Sequence, residues 1–373
     1  MKIVADYGIA DVESRFSRHG EVSVYPGREI SAAHIRDAEV LLVRSVTRVD
    51  RNLLASSPVR FVGSATIGTD HVDLDYLAER GIEFAFAPGG NATAVVQYVI
   101  AVLCACVDDW RRKSVSIIGC GQVGGRVLTC LRALGLECRV FDPFLSSQQV
   151  PELCDFAHAL NADVICLHTP LTLGGAHPTF HMIGAPELAR IRPDAILINA
   201  GRGAVIDNRA LATTLRGDAI PRVVLDVWEN EPAIGRDLLA RVLLGTPHIA
   251  GHSFEGKLRG TTMVLDAFEQ WLGLAAEDRT RYNRPKTLDD KAELMASSTT
   301  SLEDLVLAVY DPRCDFADLR SAFANHEVPA AIAFDAVRGA YKLRREFNHY
   351  RVEGAISQNL GEELLALGFE VAR

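Results

Sequence analysis

The segment that most narrows what this chain can become is Gly119-Cys120-Gly121-Gln122-Val123-Gly124. It follows an apolar run, Ser114–Ile118, that reads as a strand. It opens a helical stretch, Gln122–Leu134, for which Gly135 is the stop signal. Glycines spaced G-x-G-x-x-G at a strand-to-helix turn have separate tasks. The first permits the tight turn, the second lets backbone approach a pyrophosphate, and the third lets helix and strand pack closely. The helix N-terminus adds free N–H groups for the phosphates. The next strand, Cys138–Phe141, ends at Asp142, about 20 positions beyond the glycines, where an acid accepts hydrogen bonds from ribose hydroxyls. Asp142 would repel a 2′-phosphate, and Pro143 rather than a basic residue follows it, so NAD is the expected cofactor rather than NADP.

The rest of the chain repeats the strand–helix alternation. Strand candidates lie at Lys2–Asp6, Val40–Val43, Arg60–Val62 and Gly81–Phe86, and again at Val164–Leu167, Ala195–Asn199 and Val223–Asp226. Alternation of this kind predicts parallel α/β sheets, with ligands beyond the carboxyl ends of the strands. At 373 residues the chain exceeds what one core organises. A helix over Asn91–Asp109, with Asn91 and Thr93 as caps, leads from a first domain into the dinucleotide domain. A second helix over Thr261–Gly273 crosses back. Residues 274–285 are polar and read as a linker, and 286–373 as a small third domain ending in a strand at Phe369–Ala372.

The formal net charge of −9 argues against a nucleic-acid binder. The N-terminus shows no leader pattern, and the longest apolar stretch, 94–107, is too short to span a bilayer, so a cytoplasmic protein without a membrane partner is expected. Eight cysteines form no C-x-x-C pair and are read as buried reduced thiols; no metal site is expected.

Three late segments carry reactive side chains: Ile198–Gly203, Asp226–Pro232 and Thr246–Gly251. Hydride transfer from a hydroxyl carbon needs a group to take the hydroxyl proton, and His248 suits it. A carboxylate fixes and charges such an imidazole, and Glu231 is the candidate. Arg202 offers a fork of N–H donors for a substrate carboxylate and can polarise the reacting carbonyl in the reverse direction.

On these stretches, together with VRSVTRV (43–49), GTDHVD (68–73), INAGRGAVIDN (198–208), LDVWENEP (225–232) and PHIAGHSFEGKLRGTT (247–262), the chain resembles the D-isomer-specific 2-hydroxyacid dehydrogenases over nearly all of 1–285. The resemblance implies His248 as acid/base, Glu231 as its partner and Arg202 as carboxylate anchor. It implies that Gln122 and Val123 present backbone to the pyrophosphate, and that Thr169, Asp226 and Gly251 line the cofactor. Ser45 and Thr66 would contact substrate from the first domain, joined by Arg44 and by His252, which stands where relatives carry Tyr. Phosphate recognition would draw on Arg44, Ser45 and Thr66; Lys257 and Arg259 add positive charge but also fit a solvated helix face. The implied architecture is a doubly wound Rossmann NAD domain (94–251), a flavodoxin-like substrate domain (1–93 and 252–285) and a small α+β C-terminal dimerisation domain (286–373), with a hinged cleft and a homodimer. The tail and the EGKLRGT stretch point to a branch acting on a four-carbon phosphorylated sugar acid. Action on 3-phosphoglycerate or on hydroxypyruvate and glyoxylate is the alternative, and an NAD-sensing regulator without turnover a remote one.

Overall fold

Val40–Val43, Val115–Ile118, Val164–Leu167 and Ile196–Asn199 are buried along their whole length. Continuous apolar strands of this kind belong in parallel sheets covered on both faces. The computed structural model, which describes residues 1–217, 221–275 and 291–372, contains three parallel sheets in two units. One unit is built from Met1–Asn91 and the chain from His252; the other from Ala92–Gly251 and the chain from Lys291.

The first unit has five parallel strands: β1 (Lys2–Asp6), β2 (Glu21–Tyr25), β3 (Val40–Val43), β4 (Phe61–Ser64) and β5 (Glu83–Phe86). Their order, β2-β1-β3-β4-β5, is that of flavodoxin-like folds. Alternate residues supply opposite faces. Val40 and Leu42 pack with Val264, Leu265 and Phe268 of the helix Phe254–Trp271, whereas Leu41 and Val43 pack with Leu54, Val62 and Leu77.

The second unit holds β6 (Val115–Ile118), β7 (Cys138–Phe141), β8 (Val164–Leu167), β9 (Ile196–Asn199), β10 (Arg222–Leu225) and β11 (Leu244–Gly245). All pair in parallel, in the order β7-β6-β8-β9-β10-β11. A single parallel bridge, Val140–Leu153, stands beside β7 where a doubly wound fold has its third strand. The C-terminal segment of the same unit adds β12 (Ala292–Ala296), β13 (Tyr350–Gly354) and β14 (Glu370–Val371), again parallel, with helices between them. Its Leu302, Val306 and Phe347 join the core under the helix Ala92–Cys106, and its Leu319 and Phe334 join the core on the other sheet face.

Three expectations shift. β2, β11, β12 and β13 were not legible as strands. The helix expected from Thr261 begins at Phe254, capped by Ser253 Oγ, which accepts the Gly256 N–H at 2.9 Å. Of the cysteines only Cys130 and Cys166 are buried, Cys314 is exposed, and the rest lie between. Burial pushes the thiols of Cys104, Cys130 and Cys166 up to about 12, so they stay protonated at neutral pH. The linker read at 274–285 falls mostly outside the described residues. Among the described residues no helix is long and apolar enough to cross a membrane.

Candidate active site

The strand order of the second sheet sets its loops in a row along one edge. Asp142 follows β7, Gly119–Gly124 follow β6, His168 and Thr169 follow β8, and Arg202 follows β9. Glu231 lies beyond β10, and His248 just beyond β11. The order reverses direction between β6 and β8, and that switch is where such sheets open a crevice for dinucleotides.

Each fingerprint glycine has a local reason. Gly119 has φ +88°, and a Cβ there would stand 2.8 Å from Thr169 Cγ2. A Cβ on Gly124 would stand 2.0 Å from the Gly119 carbonyl oxygen, so helix Gln122–Ala133 packs on β6 only with glycine. A Cβ on Gly121 would meet nothing within 4 Å, so this face of the loop is open to a ligand. Asp142 Oδ2 accepts the Cys120 N–H at 2.9 Å and Oδ1 the Phe144 N–H at 3.0 Å. Each oxygen keeps a further lone pair for a ribose hydroxyl. Thr169 Oγ1 and both ring nitrogens of His168 are buried and find no partner among the described residues. Orphaned polar atoms beside an open glycine loop are what a dinucleotide site leaves for its ligand. Burial pulls the His168 imidazole down to about 4, so it is neutral. Sequence reasoning passed over His168; its place one residue before Thr169 at a strand end was the available signal.

Beyond β9 the buried Asn199 shapes the arginine loop. Its Nδ2 donates to the Arg202 carbonyl at 2.9 Å, and its Oδ1 accepts the Gly201 N–H at 3.1 Å. A Cβ on Gly203 would stand 2.0 Å from the Trp228 carbonyl, so this loop lies directly against the one carrying Glu231.

Glu231 and His248 are brought together. Glu231 Oε2 accepts from His248 Nδ1 at 2.7 Å, and Oε1 accepts the Trp228 N–H at 2.7 Å. Burial would raise the Glu231 carboxyl, but His248 and the Trp228 N–H outweigh it and hold it below its ordinary value. With Nδ1 engaged, Nε2 is the nitrogen left for proton exchange.

His248 itself has φ +57°, uncommon for a residue with a side chain. The backbone is held there from below. Its N–H donates to the Asp226 carbonyl at 2.8 Å, and the buried Asp226 carboxylate takes the N–H groups of Ile249 (2.7 Å) and Ala250 (3.0 Å) and the Thr246 hydroxyl (2.7 Å). Burial raises the Asp226 carboxyl, opposed by His248 and these hydrogen bonds. Gly251 ends this loop and the unit's first segment.

The substrate-side candidates belong to the first unit. Ser45 is exposed, and Thr66 Oγ1 shares a hydrogen bond with Ser64 Oγ at 2.8 Å. Arg44 is committed in a way its sequence neighbourhood did not show. It forms a two-pronged pair with the fully buried Asp6, Nε to Oδ2 at 2.9 Å and Nη2 to Oδ1 at 3.0 Å. Gly8 makes room for it, since a Cβ there would stand 2.2 Å from Nη2. His252 is half-buried. Lys257 and Arg259 are not on a solvated face: both are half-buried, and Arg259 Nε donates to the Gly90 carbonyl at 2.9 Å.

One group of metal-capable side chains, His181, Asp207 and Glu229, brings its ligand atoms within 4.8 Å, which no spacing in the sequence announced. Its atoms have structural duties. His181 Nε2 meets Glu229 Oε1 at 2.8 Å, Glu229 Oε2 takes the Asn208 N–H, and Asp207 caps the helix Asn208–Thr214.

Residues 104–250 match the family model described as D-isomer specific 2-hydroxyacid dehydrogenase, NAD binding domain, and 288–368 match a domain of unknown function. The chain is 45% identical over 377 residues to a protein of Teredinibacter turnerae named erythronate-4-phosphate dehydrogenase, covering 100% of this chain and 99% of that one. It is 44% identical to the protein of the same name from Pseudomonas aeruginosa, covering 100% of both. Among solved structures, the D-lactate dehydrogenase of Aquifex aeolicus complexed with NAD and lactic acid aligns with TM-score 0.64 at 20% identity, covering 76% of this chain and 98% of that one.

Proposed function

The chain belongs to the erythronate-4-phosphate dehydrogenases, within the D-isomer-specific 2-hydroxyacid dehydrogenases, and from that premise we propose how its residues divide the work. The reaction is the NAD-dependent oxidation of 4-phospho-D-erythronate at C2 to 2-oxo-3-hydroxy-4-phosphobutanoate, a step toward pyridoxal 5′-phosphate.

His248 is the acid/base. Its Nε2 takes the C2 hydroxyl proton, while Glu231 on Nδ1 fixes the tautomer and stabilises the imidazolium that forms. Arg202 holds the substrate carboxylate, so that the C2 hydroxyl is presented to the imidazole. NAD, when bound, supplies the hydride acceptor. Gly119, Gly121, Gln122, Val123 and Gly124 would hold its pyrophosphate and Asp142 its ribose, with Thr169, Asp226 and Gly251 along its length. Arg44, Ser45, Thr66 and His252 would contact the substrate; for Arg44 only the donors not spent on Asp6 remain for a phosphate. The C-terminal segment 286–373 would serve as the dimerisation domain of a cytoplasmic homodimer.

The observation that carries this reading is the 2.7 Å Glu231–His248 pair, set on the same sheet edge as an open dinucleotide loop and the Arg202 loop. The test is His248→Ala. Loss of general-base help lowers kcat by about 10²–10⁴-fold. Turnover equal to that of the unaltered chain removes His248 from the reaction.

A further inference from the structure

The C-terminal segment buries a charged side chain, Arg344, against the loop after His248 and the helix Ala92–Cys106. Arg344 is 7% exposed, and its guanidinium is used on every side. Nη1 donates to the Ile249 carbonyl at 3.0 Å and to Tyr341 Oη at 2.9 Å. Nη2 donates to the Ala94 carbonyl at 3.0 Å and to the Ala250 carbonyl. Nε donates to Gln97 Oε1 at 3.0 Å, and the charge lies 4.2 Å from the centre of the Tyr310 ring.

Two of these acceptors are the carbonyls of the residues immediately after His248. The N–H groups of the same two residues are taken by Asp226. The peptide run from 248 to 250 is therefore gripped by a buried carboxylate through its N–H groups and by a buried guanidinium through its carbonyls. It is tied as well to the helix Ala92–Cys106 through Ala94 and Gln97. A positive φ at a residue with a side chain is uncommon and persists only where the surroundings over-determine it. His248 is such a residue, and Arg344 is half of the clamp that fixes its successors.

Resting on the assignment of His248 as acid/base, we propose that Arg344 is a positioning residue for the reaction: it holds the backbone after His248 so that the imidazole keeps its seat on Glu231. The C-terminal segment thus completes the active site of its own chain, in addition to any contact between chains. No other residue type does this. Lysine keeps the charge but has fewer donors and no planar fork. Methionine fills the space but cannot donate to the Ile249 and Ala250 carbonyls.

The experiment compares Arg344→Met, Arg344→Lys and Arg111→Ala with the unaltered chain and with His248→Ala. Each is tested for kcat and KM with 4-phosphoerythronate, for NADH affinity by fluorescence titration, and for thermal unfolding. Arg111 pairs with Glu303 and Glu363 and so ties the same C-terminal segment at a point away from the His248 loop. Misplacing a reacting group by about 1 Å costs roughly 10²-fold, so Arg344→Met loses about that much kcat, while KM and NADH affinity change far less. Arg344→Lys falls between Met and Arg, and Arg111→Ala keeps the full kcat. Should Arg344→Met fail to fold, Arg344→Lys decides alone: a kcat equal to that of the unaltered chain overturns the proposal. So does an equal loss in Arg111→Ala, which would mean general loosening of the segment. If His248→Ala is itself fully active, the acid/base reading falls first. If His248→Ala is inactive and both Arg344 variants are fully active, only the positioning role falls.

Discussion

Replacing Glu231 with glutamine keeps the shape of the side chain, removes one charge and reverses one hydrogen bond. Oε1 meets a backbone donor, the Trp228 N–H at 2.7 Å, and Oε2 meets His248 Nδ1 at 2.7 Å. The Trp228 N–H cannot become an acceptor, so it claims the amide oxygen. The amide NH2 then faces Nδ1, which must give up its proton, and the imidazole carries it on Nε2 instead. That is the atom proposed to receive the substrate's proton. The variant also loses the carboxylate that stabilises the imidazolium. A charge-assisted hydrogen bond is worth about 1.5–3 kcal/mol, or roughly 10- to 150-fold in rate. The inverted tautomer adds to this, and the same acid-to-amide change in a serine-protease triad costs about 10⁴-fold in kcat. Glu231→Gln is therefore expected to lower kcat by about 10²–10⁴-fold. The assay is the initial rate of NADH formation from 4-phosphoerythronate, with NADH affinity and thermal unfolding measured on the same sample. A folded, NADH-binding variant that loses less than about tenfold in kcat would refute the reasoning, because the half-buried pair would then not govern the proton.

Gly124→Ala puts a Cβ 2.0 Å from the Gly119 carbonyl oxygen, so helix and strand must part. The overpacking costs about 1–3 kcal/mol in thermal or denaturant unfolding and weakens NADH binding, which fluorescence titration reads directly. Asp315 is pushed up to about 6 by burial, against the Tyr310 hydroxyl and Arg344, from an ordinary 3.8. Its folded-state value lies above its unfolded one, so its contribution to stability is complete below about pH 4 and is lost as pH rises through about 6. The loss is at most about 3 kcal/mol, and Asp315→Asn flattens that part of the unfolding profile between about pH 4 and 7.

Much of this arrangement was legible in the chain, for physical reasons that differ by residue. The six-residue glycine loop could be read because Gly119 and Gly124 answer steric demands that no other residue meets, and β3 and β8 because fully buried parallel strands are apolar throughout. β2 (EVSVY), an edge strand with no fully buried residue, and β13 (YRVEG), with one, lack that signature. The first half of the helix Phe254–Trp271 was missed because Gly256 and Gly260 weaken its local propensity. Gly260 is there for packing: a Cβ would stand 2.8 Å from the Ala65 carbonyl oxygen. Glu231, His248 and Arg202 stood out as residue types suited to the proposed chemistry, but the contacts that hold such loops did not. Asp6 under Arg44 is 38 positions away in sequence, and Arg344 lies 94 positions from Ala250. Such pairs are made by topology, and no local pattern marks them.

The measurement that bears most directly on the whole account is turnover of 4-phosphoerythronate against 3-phosphoglycerate, each with NAD and a 2-oxo acid to reoxidise the cofactor. A strong preference in kcat/KM for the four-carbon acid is expected, with turnover lost in His248→Ala. Preference for the three-carbon acid would contradict it, leaving the fold, the cofactor and the Glu231–His248 pair in place but assigning the substrate contacts wrongly.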